Sequence, residues 1–156
     1  MSIRKQLETD MKEAMRARDR KRLDCIRMLK SKVQEQEVTA RGKHGKQHEL
    51  TEDDLLAVVS TYAKQRRDSI ASYREGGRDD LADAEQAELD IVASYLPRQL
   101  TAEELRGIVE AAIAESGATS MKEIGAVMKL VMPKTKGMAD GKQVNAVVRE
   151  LLAAGD

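Results

Sequence analysis

The sequence predicts an all-α fold, and three observations support that prediction. Strong helix formers such as Ala, Leu, Glu, Lys, Arg and Gln dominate a chain that is 35% charged. Aromatic residues, which favour strands, make up only 2% of the 156 residues, and Phe and Trp are absent. Apolar residues recur at intervals of three and four, and no segment alternates apolar and polar residues as a half-buried strand does. We expect a four-helix N-terminal domain over residues 1–97 and a small three-helix C-terminal domain over residues 98–156.

Caps and breakers delimit the first four predicted helices. Asp19 caps the second helix and Thr51 the third, Gly76 and Gly77 end the third, and Pro97 stops the fourth. The residues between these signals that share one helical face are Ile3, Leu7, Met11 and Ala14, then Leu23, Ile26, Leu29 and Val33, then Leu55, Val59, Tyr62, Arg66, Ile70 and Tyr73, and finally Leu81, Ala84, Leu89, Val92 and Leu96.

The C-terminal helices carry similar signals. Thr101 and Glu104 form a capping box that starts the fifth helix, and Gly117 ends it. Ser120 caps the sixth helix, which is expected to stop at Pro133 because proline has no N–H and disfavours helix in the preceding residue.

A basic turn between the sixth and seventh helices is the strongest functional signal. Asp140 caps the seventh helix, with Gln143 in the capping-box position. Residues 120–145 carry five positive and two negative side chains, a net of +3 in a chain that is neutral overall. Such a cluster is suited to an anion, and phosphates are the anions that lysines neutralise in nucleic acids. The lysines of this cluster are Lys122, Lys129, Lys134, Lys136 and Lys142. On composition alone, such a cluster is more typical of a solvated surface, and only the family resemblance given below makes these lysines the candidate RNA-binding residues.

Nearly the whole chain resembles the GatB/YqeY family, in particular its free-standing YqeY-like members. The segment from Gly125 to Leu152 looks like the family's C-terminal tail module, and the resemblance continues in residues 1–33, 64–70 and 88–100. The main departure is the stretch from Arg41 to Glu49, which is longer and more basic than the family pattern. The residues that carry the tail match are Gly125, Met128, Gly137, Ala139, Asp140, Gly141 and Val144.

The resemblance implies a link to tRNA. In that family the tail module is also an appendage of the B subunit of the tRNA-dependent amidotransferase, which converts Glu-tRNA or Asp-tRNA to the amide form with glutamine. The appendage is implied to contact tRNA, while the amide chemistry resides in other domains. The resemblance therefore implies an accessory tRNA-binding protein related to the glutamine-dependent aspartyl/glutamyl-tRNA amidotransferase B subunit.

Two alternatives stay open. In the first, the chain is a helical protein-interaction module for an amidotransferase or aminoacyl-tRNA synthetase subunit. In the second, it has carbon-nitrogen ligase activity with glutamine as amido-N-donor. The sequence shows no Gly-rich phosphate loop, no GxSxG nucleophile turn and no paired His and Glu motif for zinc. We therefore predict no self-contained active site, no catalytic residue and no cofactor.

Arg66, Arg67 and Asp68 form a second candidate site, with two interpretations. Arg66 falls on the apolar face of its helix, where a cation is costly unless it is paired. It is either part of a structural ion pair or the group that holds an anionic ligand. The candidate partners for a structural pair are Asp68, Glu88 and Asp90.

No metal site is predicted. His44 and His48 have a helical i, i+4 spacing, but the polar loop opened by Gly42 and Gly45 gives them no helix and no third ligand. Cys25 has no base nearby in the sequence and is expected to be a packed side chain. The same packing role is predicted for Met15, Met28, Met121, Met128 and Met132.

Charge and hydropathy argue against a membrane-spanning or a secreted protein. The net charge is zero, although residues 1–46 carry +7 and residues 47–97 carry −7, which favours packing or orientation within the molecule. No run of 18 apolar residues and no N-terminal apolar segment occurs. We therefore expect a cytoplasmic protein with no membrane partner.

Overall fold

The computed structural model describes residues 2–154, and within them the prediction of an all-helical fold is confirmed. That range contains α-helices and one short 3₁₀ turn but no strand. The helices are α1 (Ile3–Ala17), α2 (Arg20–His44), α3 (Glu52–Glu75), α4 (Asp79–Ala93), α5 (Ala102–Ser116), α6 (Ile124–Thr135) and α7 (Gly141–Ala154), with the 3₁₀ turn at Met121–Glu123.

The chain divides into two compact units between Leu96 and Pro97. The first unit contains α1 to α4, and the second contains the 3₁₀ turn and α5 to α7. Pro97 belongs to the second unit, one residue before the predicted boundary. The Gln99 side-chain amide donates to the carbonyl oxygens of Pro97 and Gly137, at 2.9 and 2.8 Å.

The N-caps predicted at Asp19, Thr51 and Thr101 are confirmed. The Asp19 carboxylate accepts the Arg22 N–H at 3.1 Å. Capping boxes form at Thr51 with Asp54 and at Thr101 with Glu104. Each box satisfies backbone N–H groups that the first turn of a helix leaves without a partner.

The first unit is held together by aliphatic packing and by polar ties between helices. Its fully buried side chains include Ile26, Leu29, Val59 and Val92. The Ile3 N–H donates to the Glu52 carboxylate at 2.7 Å, which joins the start of α1 to the start of α3. Further along, the Tyr95 hydroxyl donates to Asp10 at 2.6 Å.

The second unit has a core of its own, formed where α5, α6 and α7 pack against one another. Its fully buried side chains are aliphatic apart from one threonine. They are Leu105, Val109, Ala112, Val127, Val131, Thr135, Val144 and Val148.

The predicted end of the sixth helix is wrong, because α6 continues through Pro133 to Thr135. Proline in the last turn removes only one backbone hydrogen bond. Thr135 is only 1% exposed, and its hydroxyl donates to the Val131 carbonyl oxygen at 3.1 Å. Burial of Thr135 thus holds the helix together past the proline.

Two other boundaries also differ. The helix α2 continues through Gly42 to His44, so the predicted polar loop begins only at Gly45. A single glycine costs about 1 kcal/mol in a helix, and the cations Arg41 and Lys43 in the last turn interact favourably with the helix dipole. The helix α4 ends at Ala93, before the predicted stop at Pro97.

Three of the five methionines predicted to fill the core are exposed. Met15, Met28 and Met132 have 53%, 47% and 43% of their surface accessible. The prediction that thioether side chains fill gaps in the core is therefore wrong at these positions, because the cores are filled mainly by Val, Leu, Ile and Ala.

Gly107 lies in the middle of α5, where glycine is unfavourable. A Cβ added there would meet nothing within 4 Å. We expect Gly107→Ala to raise the free energy of unfolding by about 0.5–1 kcal/mol, because alanine loses less backbone entropy on helix formation. Urea denaturation followed by circular dichroism measures the change. A destabilised variant would contradict the open environment of this position.

Candidate nucleic-acid interface

The basic turn of the second unit is fixed in place by backbone hydrogen bonds. Gly137 adopts a left-handed conformation with φ of 72°, and the N–H groups of Met138 and Ala139 donate to the Thr135 carbonyl oxygen at 2.9 and 3.1 Å. The Met138 carbonyl oxygen in turn accepts the Leu100 N–H at 2.8 Å. The Gln99 side chain donates to the Gly137 carbonyl oxygen as well. The segment before α5 therefore makes two hydrogen bonds to the turn.

All five candidate lysines are exposed, and they belong to different elements. Lys129 and Lys134 are both on α6 but five residues apart, which separates them by about 140° around the helix axis. Lys134 faces α5, where its ammonium group lies 3.6 Å from the Glu115 carboxylate. Lys136 follows in the turn, Lys142 lies in the first turn of α7, and Lys122 lies in the 3₁₀ turn. The lysines are therefore spread over several elements and do not form one stripe along α6.

The helix N-termini near these lysines are already capped by the protein's own carboxylates. Glu123 accepts the N–H groups of Thr119 and Ser120, which lowers the pKa of its carboxyl group. Asp140 accepts the Lys142 N–H at 3.3 Å. An anion would therefore meet lysine side chains in this region rather than open backbone donors.

Arg66 belongs to α3, and its side chain contacts two carboxylates of α4. Its Nε atom is 3.4 Å from Glu85 Oε2, and its Nη1 atom is 3.6 Å from Glu88 Oε2. The Nε and Oε2 atoms are buried and do not form an aligned hydrogen bond, so charge attraction is their main interaction. The guanidinium carbon also lies 4.8 Å from the centre of the Tyr62 ring.

Tyr62 and Cys25 complete this polar cluster. The Tyr62 hydroxyl donates to the Glu88 carboxylate, and the Cys25 sulfur lies 3.8 Å from the Glu88 backbone oxygen. Burial, and then the bond to Glu88, raise the pKa of Tyr62. Burial, and then the Glu88 charge, raise the pKa of Cys25 to about 12. The thiol therefore stays protonated and unreactive at neutral pH.

Of the partners predicted for Arg66, only Glu88 is correct. Asp90 instead accepts a hydrogen bond from Gln86 at 2.9 Å, and Asp68 is exposed. Glu85 was missed, although its i, i+3 spacing to Glu88 places both carboxylates on one face of α4. Arg67 lies outside the cluster, on the half-buried side of α3.

His44 and His48 come together, although the sequence placed both in a loop. His44 ends α2, and the two ring centres are 4.9 Å apart. Arg41 Nε donates to the His48 carbonyl oxygen at 3.3 Å. Among residues 2–154, no group of three or more His, Cys, Asp and Glu side chains converges as a metal site would require. No helix in the same range is long and apolar enough to cross a membrane.

Comparison with known proteins identifies relatives along most of the chain. The family model described as "Yqey-like protein" matches residues 4–152. The protein is 28% identical over 151 residues to "Altered inheritance of mitochondria protein 41, mitochondrial" of Pyrenophora tritici-repentis, which covers 95% of this chain and 80% of that protein.

Two yeast proteins of the same name match shorter segments. Identity is 37% over 90 residues with the Lachancea thermotolerans protein, covering 58% of this chain and 46% of the relative. It is 32% over 99 residues with the Saccharomyces cerevisiae protein, covering 64% and 51%. The chain thus spans about half the length of these two relatives, whose names refer to mitochondria and to no ligand or reaction.

Removing the Arg66 charge should destabilise the first unit. Arg66→Ala leaves Glu85 and Glu88 facing each other, with side chains only 20% and 27% exposed. We expect a loss of about 2 kcal/mol, less than the 3–5 kcal/mol typical of a fully buried pair. Chemical denaturation measures the loss. The control is Lys64→Ala at an exposed site on the same helix, and equal effects of the two changes would contradict a structural role for Arg66.

Stability should also fall as the pH rises above 9. Cys25 ionises near its ordinary pKa of 9.0 in the unfolded chain, but burial raises that pKa to about 12 in the folded protein. The unfolded state then binds fewer protons, so the free energy of unfolding decreases with pH. Urea midpoints at pH 8 and pH 10.5 test this, and Cys25→Ala should show a smaller decrease than the native chain. The same decrease in both proteins would show that Cys25 does not contribute.

Proposed function

The chain belongs to the YqeY-like family, and from that membership we propose that it is an accessory protein that binds structured RNA, in particular tRNA. The observation that carries this proposal is the cluster of exposed lysines around the fixed turn between α6 and α7. We name tRNA because the family resembles the tail of the amidotransferase B subunit, and the substrate of that enzyme is tRNA.

Phosphate neutralisation is the proposed basis of binding. Each lysine ammonium that meets a phosphate releases condensed counterions, so affinity falls steeply as salt is added. Because hydrogen bonds already hold the turn, binding orders only the lysine side chains and not the backbone. Lys134 gives up only an exposed pair with Glu115, and such pairs contribute about 0–1 kcal/mol.

The distribution of the lysines favours a folded RNA over a single strand. Lysines on two faces of α6, in the turn after it and on α7 suit phosphates that approach from more than one direction. Stacking on unpaired bases needs aromatic side chains, and residues 97–156, which include all five candidate lysines, contain no Phe, Trp or Tyr. Contacts of this kind recognise the shape of the backbone and not the base sequence.

The proposal does not depend on one cellular compartment. A cytoplasmic location remains our prediction, whereas the names of the fungal relatives refer to mitochondria. Both compartments contain tRNA. A protein partner such as an amidotransferase or synthetase subunit would bring the bound tRNA to the enzyme that modifies it.

Binding of labelled bulk tRNA, measured by fluorescence anisotropy, tests the proposal. If three or four lysines contact phosphates, raising the salt from 50 to 200 mM should weaken binding by about 40- to 150-fold. A variant with Lys129, Lys134, Lys136 and Lys142 all changed to Ala should lose most of this binding and most of its salt dependence.

A variant of equal net charge is the matched control. Lys5, Lys12, Lys21 and Lys43 are exposed in the first unit, and changing all four to Ala removes the same charge. This control should retain most of the binding. Equal losses in both variants would point to non-specific attraction, and no binding by the native chain would reject the RNA proposal. Glutamine-dependent ammonia release by the same preparation would instead support the ligase alternative.

A further inference from the structure

A groove with a volume of about 440 Å³ lies between α1 and α2 on the surface of the first unit. Its floor is apolar and includes Leu7, Val33 and Leu55, each of which is at most 5% exposed. Met11 from α1 and Lys30 from α2 are among its other lining residues. The groove therefore combines an apolar floor with charged and thioether side chains from both helices.

Helical spacing extends the same surface toward the turn that joins α1 to α2. Met15 is one turn beyond Met11 on α1, and 53% of its surface is accessible. Arg27 lines the groove, and Arg20 lies seven residues before it, which is about two turns along the same side of α2. We call the groove and these neighbouring residues the hairpin face.

Four cations of the hairpin face have no carboxylate partner. Lys12, Arg20 and Arg27 are exposed, and their side chains form no ion pair or hydrogen bond within residues 2–154. The Lys30 ammonium group lies 3.9 Å from the Met11 sulfur, which is a weak acceptor, and it has no other side-chain partner in that range. These positive charges are therefore available to a ligand.

The carboxylates of the hairpin face do not balance these cations. Glu37 forms an ion pair with Arg4, so these two charges cancel. Glu8 and Asp24 are exposed and pair with no residue that the structure describes. Four unpaired cations and two unpaired carboxylates leave the face with a net charge of +2. Charge complementarity thus favours an acidic occupant.

We propose that the hairpin face docks an acidic amphipathic helix of a partner protein. Two neighbouring helices offer a groove along which a third helix can pack. From Arg4 to Met15 the helix α1 rises about 16 Å, which matches about three turns of a partner helix. Apolar side chains of the partner cover Met11 and Met15, and its Asp or Glu residues pair with Arg20 and Arg27.

Methionine and arginine have distinct roles in this contact. Methionine side chains are flexible and polarizable, so Met11 and Met15 can adapt to the apolar face of a helix, as in other helix-binding grooves. The unpaired cations set the orientation of the helix and the choice of partner.

The exposed methionines favour a protein partner over RNA at this surface. Phosphates gain nothing from the apolar surface of Met11 and Met15, and residues 1–61 contain no aromatic side chain on which a base could stack. The hairpin face contains none of the candidate RNA-binding lysines. The inference therefore goes beyond the RNA contact proposed for the second unit and does not rest on it.

A labelled synthetic peptide tests the proposal with the full chain. The probe is an 18-residue amphipathic helix with a Leu and Ala face flanked by Glu, and its counterpart has Lys in place of every Glu. In fluorescence anisotropy the acidic peptide should bind about tenfold more tightly than the basic one. Arg20→Glu with Arg27→Glu should weaken the acidic peptide about tenfold, and Met15→Gln should weaken it about threefold.

A charge-matched variant separates the hairpin face from general attraction. Lys43 and Lys64 are exposed at the end of α2 and on α3, outside this face. Lys43→Glu with Lys64→Glu makes the same change in net charge and should leave peptide binding nearly unchanged. All of these side chains are exposed, so circular dichroism of both double variants should show an intact fold.

The same variants keep the proposal distinct from RNA binding. Arg20→Glu with Arg27→Glu should weaken tRNA no more than the charge-matched variant does. Lys129→Ala with Lys142→Ala should weaken tRNA but not the peptide. Failure of tRNA binding in the native chain would leave the peptide result unaffected.

Four results would overturn the proposal. The first is equal affinity for the acidic and basic peptides, and the second is an equal loss of peptide binding in the two double Glu variants. The third is a loss of tRNA binding that is specific to Arg20→Glu with Arg27→Glu while peptide binding persists, which would assign the face to RNA. The fourth is self-association of the native chain that this variant abolishes, which would assign the face to a second copy.

Discussion

The absence of Phe and Trp is the constraint on which both units depend. Each core has to be built from short aliphatic side chains such as Val59, Val92, Val127 and Val144, which bury little surface apiece. Burial of so little apolar surface per residue leaves more of the stabilisation to polar contacts between helices. The first unit therefore adds polar ties between helices, and its two buried tyrosine hydroxyls each donate to a carboxylate of another helix, Tyr62 to Glu88 and Tyr95 to Asp10.

The second unit uses hydrogen bonds to the turn after α6 for the same purpose. The Leu100 N–H donates to the Met138 carbonyl oxygen and the Gln99 side chain to that of Gly137, so main-chain groups of the turn are bonded within the unit. The lysine side chains near the turn are exposed, so they can change partner without disturbing the core.

Sequence reasoning succeeded where the determinant of structure is local. Caps at Asp19, Thr51 and Thr101 depend on residues three positions away, and all three were predicted. It failed where a distant contact decides, as at Pro133, where burial of Thr135 extends α6. The cluster around Arg66 was half predicted, since Glu88 was a candidate but Glu85 could be chosen only once α4 was placed beside α3. The lysines were found as a charge cluster, but their directions around α6 follow from its actual length.

Lys134 lies in the last turn of α6, where its ammonium group is paired with the Glu115 carboxylate of α5. Both side chains are more than half exposed, so the pair contributes little to stability and can open at little cost. Glu115 nevertheless stays on α5 when the pair opens. Any anion that takes up Lys134, as in the RNA contact proposed above, therefore competes with a carboxylate of the protein itself, and Glu115 acts as a built-in competitor that moderates the affinity of this lysine.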